Sequence, residues 1–201
     1  RFFRKWYVVA VASDLVTREW CNREAPPVVA CLFESHEEDL IFKRRRKPVL
    51  DKGRLIAMAQ KRAHAELPGR YYLVLDSDIL LPDSFGAVMR SMPPPDNTSD
   101  VVYYMPRLEY NSRWRWKLDF PADVQGKNAY GYFQLYTRPV CYLAMRDCPV
   151  CMREEIECDM EFRGRFQHLG RMPQESVCCH IGPRNVNWGG RISESVASWG
   201  S

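Results

Sequence analysis

Arg70-Tyr-Tyr-Leu-Val-Leu-Asp-Ser-Asp-Ile-Leu-Leu-Pro-Asp83 decides how the rest of this chain is read. An apolar, β-favouring run from Tyr71 to Leu75 stops abruptly at Asp76-Ser77-Asp78. Side chains alternate along a strand, so acids two apart leave on one side and Ser77 on the other. Two like charges placed together repel, and a divalent cation is what usually makes such a pair tolerable. In open α/β sheets the carboxyl edge of the strands is where ligands bind. The pattern predicts a hard metal ion and a phosphate-bearing substrate. The plainer reading is a loop with two solvated aspartates, since Asp is frequent in turns.

Around this stretch, strands and helices alternate. Lys52 to Leu67 carries Leu55, Ala59 and Ala63, with Ile56, Met58 and Leu67 beside them, at helical spacing. Asp51 is its expected N-cap and Pro68-Gly69 its stop. Trp6 to Ser13 reads as a buried first strand, followed by a loop from Ser13-Asp14. Pro27 to Phe33 reads as a second strand and Asp39 to Phe42 as a third. The basic run Lys43 to Lys47 reads as a solvated face that also attracts phosphate. Downstream, a short helix is expected after Pro82, ended by Pro93-Pro94-Pro95, then strands at Val101 to Met105 and Tyr132 to Tyr136. This order predicts an α/β fold with a mostly parallel central sheet and helices on both faces. The second half has shorter, more mixed elements.

At 201 residues and 46% hydrophobic, the chain has the material for one globular domain with a substantial core. A net charge of +4 suits an anionic small substrate and gives no nucleic-acid signal. No apolar run approaches the roughly 18 residues needed to cross a bilayer, and no signal peptide is visible, so a cytoplasmic location with no membrane span is expected.

Five of the eight cysteines fall between Cys148 and Cys179, which decides where a metal would be sought. Cys148-Pro-Val-Cys151 followed by Cys178-Cys179-His180 has the residue types of a zinc site, but the usual second Cys-x-x-Cys is missing. Cys31 and Cys141 sit in apolar runs and read as small buried hydrophobes. Disulfides stay open.

Three separated segments resemble one family. Lys52-Gly53 opening a helix, then Tyr71 to Asp78 with its Asp-x-Asp (DXD) motif, then Leu80-Leu-Pro82, look like the centre of a family 2 glycosyltransferase. Cys158-Asp-Met-Glu-Phe-Arg-Gly-Arg165 resembles the family's Glu-Asp-x-Asp/Glu-Phe-x-x-Arg helix, with Asp159 at the position of the catalytic base. His180-Ile-Gly-Pro-Arg-Asn-Val-Asn-Trp188 resembles a C-terminal His-x-Gly segment whose His ligates the metal. The departures are Cys158 in place of an acid, and no Ala-Arg-Asn after Lys52-Gly53. The resemblance spans residues 50 to 190 and implies a single GT-A domain over 1–201. Residues 1–105 would form its nucleotide-binding half and 106–201 its acceptor and catalytic half.

What the resemblance implies chemically is a metal-dependent, inverting transfer of a sugar from a nucleotide-diphosphate donor, UDP-sugar favoured, to a hydroxyl of a glycan or glycoprotein. Asp76, Asp78 and His180 would hold the metal, the imidazole tilting the choice toward Mn²⁺. Ser13, Glu34, Lys52, Ser77 and Arg184 would bind the donor, Glu34 as the uridine-binding acid. Asp159 would deprotonate the acceptor hydroxyl. Tyr110, Trp114 and Trp116 offer flat faces to sugar rings, and Glu161 completes the acceptor set. Glutamates at 154, 155 and 157 keep open the plainer view that Asp159 and Glu161 face solvent on a helix. Two rival functions remain. A nucleotidyltransferase would use the same metal and sheet, but Ser13 to Arg18 lacks the glycines of a phosphate loop. A module stapled by zinc or disulfides would bind glycans or protein through the aromatic segment.

Overall fold

A computed structural model describes residues 3–11, 14–23, 29–34, 40–42, 48–76, 79–109, 123–125, 132–144, 147, 158–173 and 176–180. The chain opens with β1 (Trp6–Val11), α1 (Leu15–Arg23) and β2 (Val29–Glu34). β1 and β2 pair in parallel, Trp6 opposite Val29 and Val11 opposite Glu34, with the helix as the crossover that parallel neighbours require. The loop expected after Ser13 is therefore a helix start. Asp14 caps it, its two carboxylate oxygens accepting from Thr17 N (3.0 Å) and Thr17 Oγ1 (2.7 Å). Next come β3 (Leu40–Phe42) and β4 (Pro48–Leu50), an antiparallel pair. The basic run between them lies outside the described residues.

α2 (Lys52–Glu66) leads to β5 (Tyr72–Leu75), β6 (Ile79–Leu80), α3 (Phe85–Ser91), β7 (Val101–Tyr104), β8 (Arg107–Glu109), β9 (Asp123–Gln125) and β10 (Phe133–Tyr136). α4 (Cys158–Gly164), β11 (His168–Arg171) and β12 (Cys178–His180) follow. The central sheet has the order β11-β7-β10-β5. β11 and β7 are parallel, whereas β10 is antiparallel to both β7 and β5. Three strands thus run one way and a reversed β10 separates β5 from β7. The sheet is mixed, not mostly parallel. A strand that returns against its neighbours needs no crossover helix, and β10 has none in front of it among the described residues. All four residues of β10 are buried, as an inner strand covered on both faces must be.

Alternation along these strands feeds two cores. Tyr72, Val74, Val102 and Tyr136 meet Ala57 of α2 and Cys158 and Phe162 of α4 on one face. Leu73, Tyr103, Phe133 and Leu135 meet Phe85 and Val88 of α3, with Cys178 of β12, on the other. Helices therefore cover both faces, as expected. The chain is mixed α/β. A second four-stranded sheet, β6-β12-β8-β9, is also mixed, β12 running against β6 and parallel to β8. No described helix is long and apolar enough to cross a membrane.

Candidate active site

The site is built on the first turn of α2. Asp51 is fully buried and caps the helix, its Oδ1 accepting from Arg54 N at 3.0 Å. Gly53 explains why a glycine follows the lysine. A Cβ there would stand 2.1 Å from the Leu143 carbonyl oxygen and 3.2 Å from Cys158 Cβ. Only a residue without a side chain lets the helix start lie this close to the 137–144 segment and to α4. The consequence is the placement of Lys52.

Lys52 Nζ lies 2.9 Å from Asp76 Oδ1 and 3.3 Å from Asp159 Oδ2. Three residues singled out for three different tasks, from segments far apart in sequence, meet at one ammonium group. Burial alone would lower the Lys52 pKa, but the carboxylates of Asp159 and Asp76 outweigh it and hold the group above its ordinary value. The cation in turn satisfies two acids that would otherwise repel.

Asp76 directly follows β5. Its N–H donates to Tyr132 O at 3.2 Å, and its carbonyl accepts from Ile79 N at 3.3 Å, the closure of a turn. The strand ends at Leu75, so Asp76 lies just past the alternation expected to align it with Asp78, which is outside the described residues. Tyrosine and glutamine complete the surroundings of Asp159. Tyr142 Oη is 3.0 Å from Asp159 Oδ1 and also contacts Gln134 Oε1, while Gln134 Nε2 donates to the Asp159 carbonyl at 3.2 Å. Asp159 is only 4% exposed, which sets aside the view that it sits on a solvated helix face.

Sequence reasoning passed over Tyr142 and Gln134. The available signal was Gln134 itself, a polar residue inside the apolar run Tyr132 to Tyr136, because a polar group on an inner strand must find a partner. Gln60 joins the same network, donating to Tyr136 Oη at 2.6 Å and accepting from Tyr142 N at 2.7 Å.

Glu161, expected to bind acceptor, turns away from this cluster. Two residues along a helix is a rotation of about 200°, so Asp159 and Glu161 face opposite ways. Glu161 Oε1 takes Arg165 Nε at 2.7 Å, and Arg165 also donates to the Cys141 carbonyl at 3.0 Å. His180 is buried on β12, in register with Ile79 of β6. Glu34 is the last residue of β2, at the carboxyl end of the first parallel pair. Ser13, Ser77, Asp78, Tyr110, Trp114, Trp116 and Arg184 lie outside the described residues.

Among the described residues no three His, Cys, Asp or Glu side chains converge as a metal cluster. Of the residues expected to hold a metal, Asp76 and His180 are described, and they carry the oxygen and imidazole donors that a divalent cation takes. Asp76 is a part-exposed carboxylate paired with the Lys52 ammonium, and the register sets His180 opposite Ile79, whose N–H closes the Asp76 turn. Zinc held through Cys178 fits less well. Its thiol donates to the Pro106 carbonyl at 3.5 Å from within the apolar core, the behaviour of a small hydrophobe. Cys141, Cys158, Cys178 and Cys179 are reduced thiols, whereas Cys21 is in a disulfide. Chemically, the arrangement offers a buried carboxylate with fixed partners beside a carboxylate at a sheet edge, bridged by one cation. Compared with family models, with curated proteins and with solved structures, the chain matches none.

Proposed function

We propose that this chain is a metal-dependent glycosyltransferase of GT-A type, moving a sugar from a nucleotide-diphosphate donor to the hydroxyl of a glycan or glycoprotein with inversion at the anomeric carbon. The observation that carries the reading is the meeting of Lys52, Asp76 and Asp159 at one point. Lys52 and Asp76 were assigned from one resembling segment and Asp159 from another, far away in sequence, and solvated charges need no such convergence in a partly buried place. Three same-direction strands around one reversed strand, with helices on both faces, also support a nucleotide-binding α/β sheet.

In this reading Asp76, Asp78 and His180 hold Mn²⁺ or Mg²⁺, which when bound offsets the charge developing on the departing diphosphate. Asp159 takes the proton of the acceptor hydroxyl as that oxygen attacks the anomeric carbon. Lys52 pairs with the Asp159 carboxylate, and its ammonium is offered to an incoming phosphate. Glu34 and Ser13 bind the nucleoside, UDP favoured, and Tyr110, Trp114 and Trp116 face the acceptor. The Cys21 disulfide favours an oxidising compartment over the cytoplasm expected from the sequence.

Calorimetric titration with a panel of nucleotide sugars, with Mn²⁺ and then with EDTA, tests the reading. Binding that appears only with the metal, and that Asp76→Asn weakens by about tenfold or more, is expected. Tight zinc with no nucleotide binding would favour the stapled module instead.

A further inference from the structure

We propose that Tyr142 and Gln134 are positioning residues for Asp159, holding its carboxyl group in place both when it is charged and after it has taken a proton. The inference rests on Asp159 being the base of the transfer. Tyr142 Oη stands 3.0 Å from Asp159 Oδ1 and against Gln134 Oε1. The Gln134 amide is anchored at its other end, where Nε2 donates to the Asp159 backbone carbonyl at 3.2 Å. The Tyr142 ring is held by stacking on Phe162, with centroids 4.3 Å apart and planes at 17°. Its backbone N–H is held by Gln60 Oε1 at 2.7 Å. All three groups are buried, so none can turn to water for a partner.

A phenol carries one hydrogen and here faces two acceptors. While Asp159 is a carboxylate, that hydrogen goes to Oδ1. In the transfer the acceptor oxygen bonds to the anomeric carbon and its proton passes to Asp159. The bond from that carbon to the diphosphate oxygen breaks, and the electron pair leaves with the phosphate. Asp159 then carries an O–H. Tyr142 Oη accepts it at Oδ1, and the phenol hydrogen turns to Gln134 Oε1. Asp159 Oδ1 thus shares a hydrogen with Tyr142 Oη in both protonation states, and Gln134 Oε1 receives the phenol hydrogen when Asp159 is protonated. Lys52 is different, since an ammonium has donors only: it can donate to Oδ2 in either state, but its charge attraction acts on the carboxylate alone. Burial, with Asp159 beside it, holds the Tyr142 phenol well above its ordinary value, so it keeps the hydrogen this exchange needs.

A double-mutant cycle tests the proposal. Tyr142→Phe keeps the ring on Phe162 and removes only the hydroxyl. It should lower kcat by about 10- to 100-fold, the usual effect of losing a partner that orients a functional group, with donor KM unchanged. In an Asp159→Asn background the same substitution should change kcat by less than about twofold, because groups that act through one another are not additive. An equal loss in both backgrounds, or no loss in the first, overturns the proposal. Gln134→Met run through the same cycle should behave alike, and it decides the matter if Tyr142→Phe does not fold. If Asp159→Asn alone keeps wild-type kcat, the base assignment fails, and the proposal falls with it on a separate result.

Discussion

The two ends of α2 handle charge in opposite ways. At its amino end Lys52 is set between Asp76 and Asp159, the second of which barely reaches water. At its carboxyl end Glu66 meets Lys5, Tyr7 and Arg62 on the surface, with Tyr7 Oη donating at 2.9 Å and Arg62 Nε at 2.6 Å. Both ends break the same local rule. A helix favours anions at its start and cations at its end, yet α2 has a lysine in its first turn and a glutamate in its last. At the exposed end water screens the misfit and the cluster is worth little. At the buried end each charge depends on its partner, so the rule is broken where breaking it has consequences. Such local conflicts are expected at functional sites.

The largest structural effect should come from the residue that lets the buried end exist. Gly53→Ala adds helix propensity but drives a methyl group into the Leu143 carbonyl, and a backbone atom cannot swing aside. A net loss of about 3 kcal/mol is expected in chemical denaturation. An unchanged midpoint would show that α2 does not begin against the 137–144 segment.

Lys52→Met comes next. It leaves the Asp159 carboxylate without its cation, and a loss of roughly 2 kcal/mol is expected. That is less than the 3–5 typical of a fully buried pair, because about a third of the lysine side chain meets solvent. Adding Asp159→Asn to Lys52→Met should restore much of that loss. Additive losses would mean that the pair is not coupled.

The surface end should give the smallest effect, and a pH-dependent one. The Arg62 guanidinium, then Lys5 and Tyr7, hold the Glu66 carboxyl down at about 2, against an ordinary 4.5. A depressed carboxyl stabilises the fold above its unfolded pKa and loses that contribution as pH falls toward the folded one. Glu66→Gln should therefore lower the thermal midpoint slightly at neutral pH, with the gap to wild type closing between about 4.5 and 2. The same partner, after burial, pushes the Tyr7 phenol up to about 12, so Glu66→Gln should lower the pH at which Tyr7 ionises, read from its ultraviolet absorbance. A gap that stays constant with pH would detach Glu66 from this cluster.

What was legible in the sequence follows from how local each signal is. α2 and its cap at Asp51 were readable because helical spacing, an N-cap and a Pro-Gly stop are all short-range. β5 and β10 were readable as apolar runs of strand length. α1 was missed because Leu15, Val16 and Trp20 are exposed, so its apolar residues mark no buried face, although Asp14 and Thr17 carried the start signal. β11 and β12, four and three residues long, are too short to show a period. The reversal of β10 is invisible to pattern reading, since side-chain alternation is the same in either direction.

The site divides along the same line. Lys52, Asp76 and Asp159 announce themselves by charge next to a motif. Tyr142 and Gln134 do not, because a tyrosine and a glutamine among aromatics look like core until their hydrogen bonds are seen. His180 is set opposite Ile79, three residues past Asp76, only through the register of β12 with β6, which no sequence spacing encodes.

The central claim is that the carboxylate gripped by Lys52 and Tyr142 is the base of a metal-dependent sugar transfer. It is tested most directly by measuring nucleoside diphosphate release from a nucleotide-sugar panel with Mn²⁺, in wild type and in Asp159→Asn. Release that needs Mn²⁺ and falls by about 10²- to 10⁴-fold in the variant, with donor affinity unchanged, is the predicted result. Release that persists in EDTA, or that Asp159→Asn leaves at the wild-type rate, would contradict it.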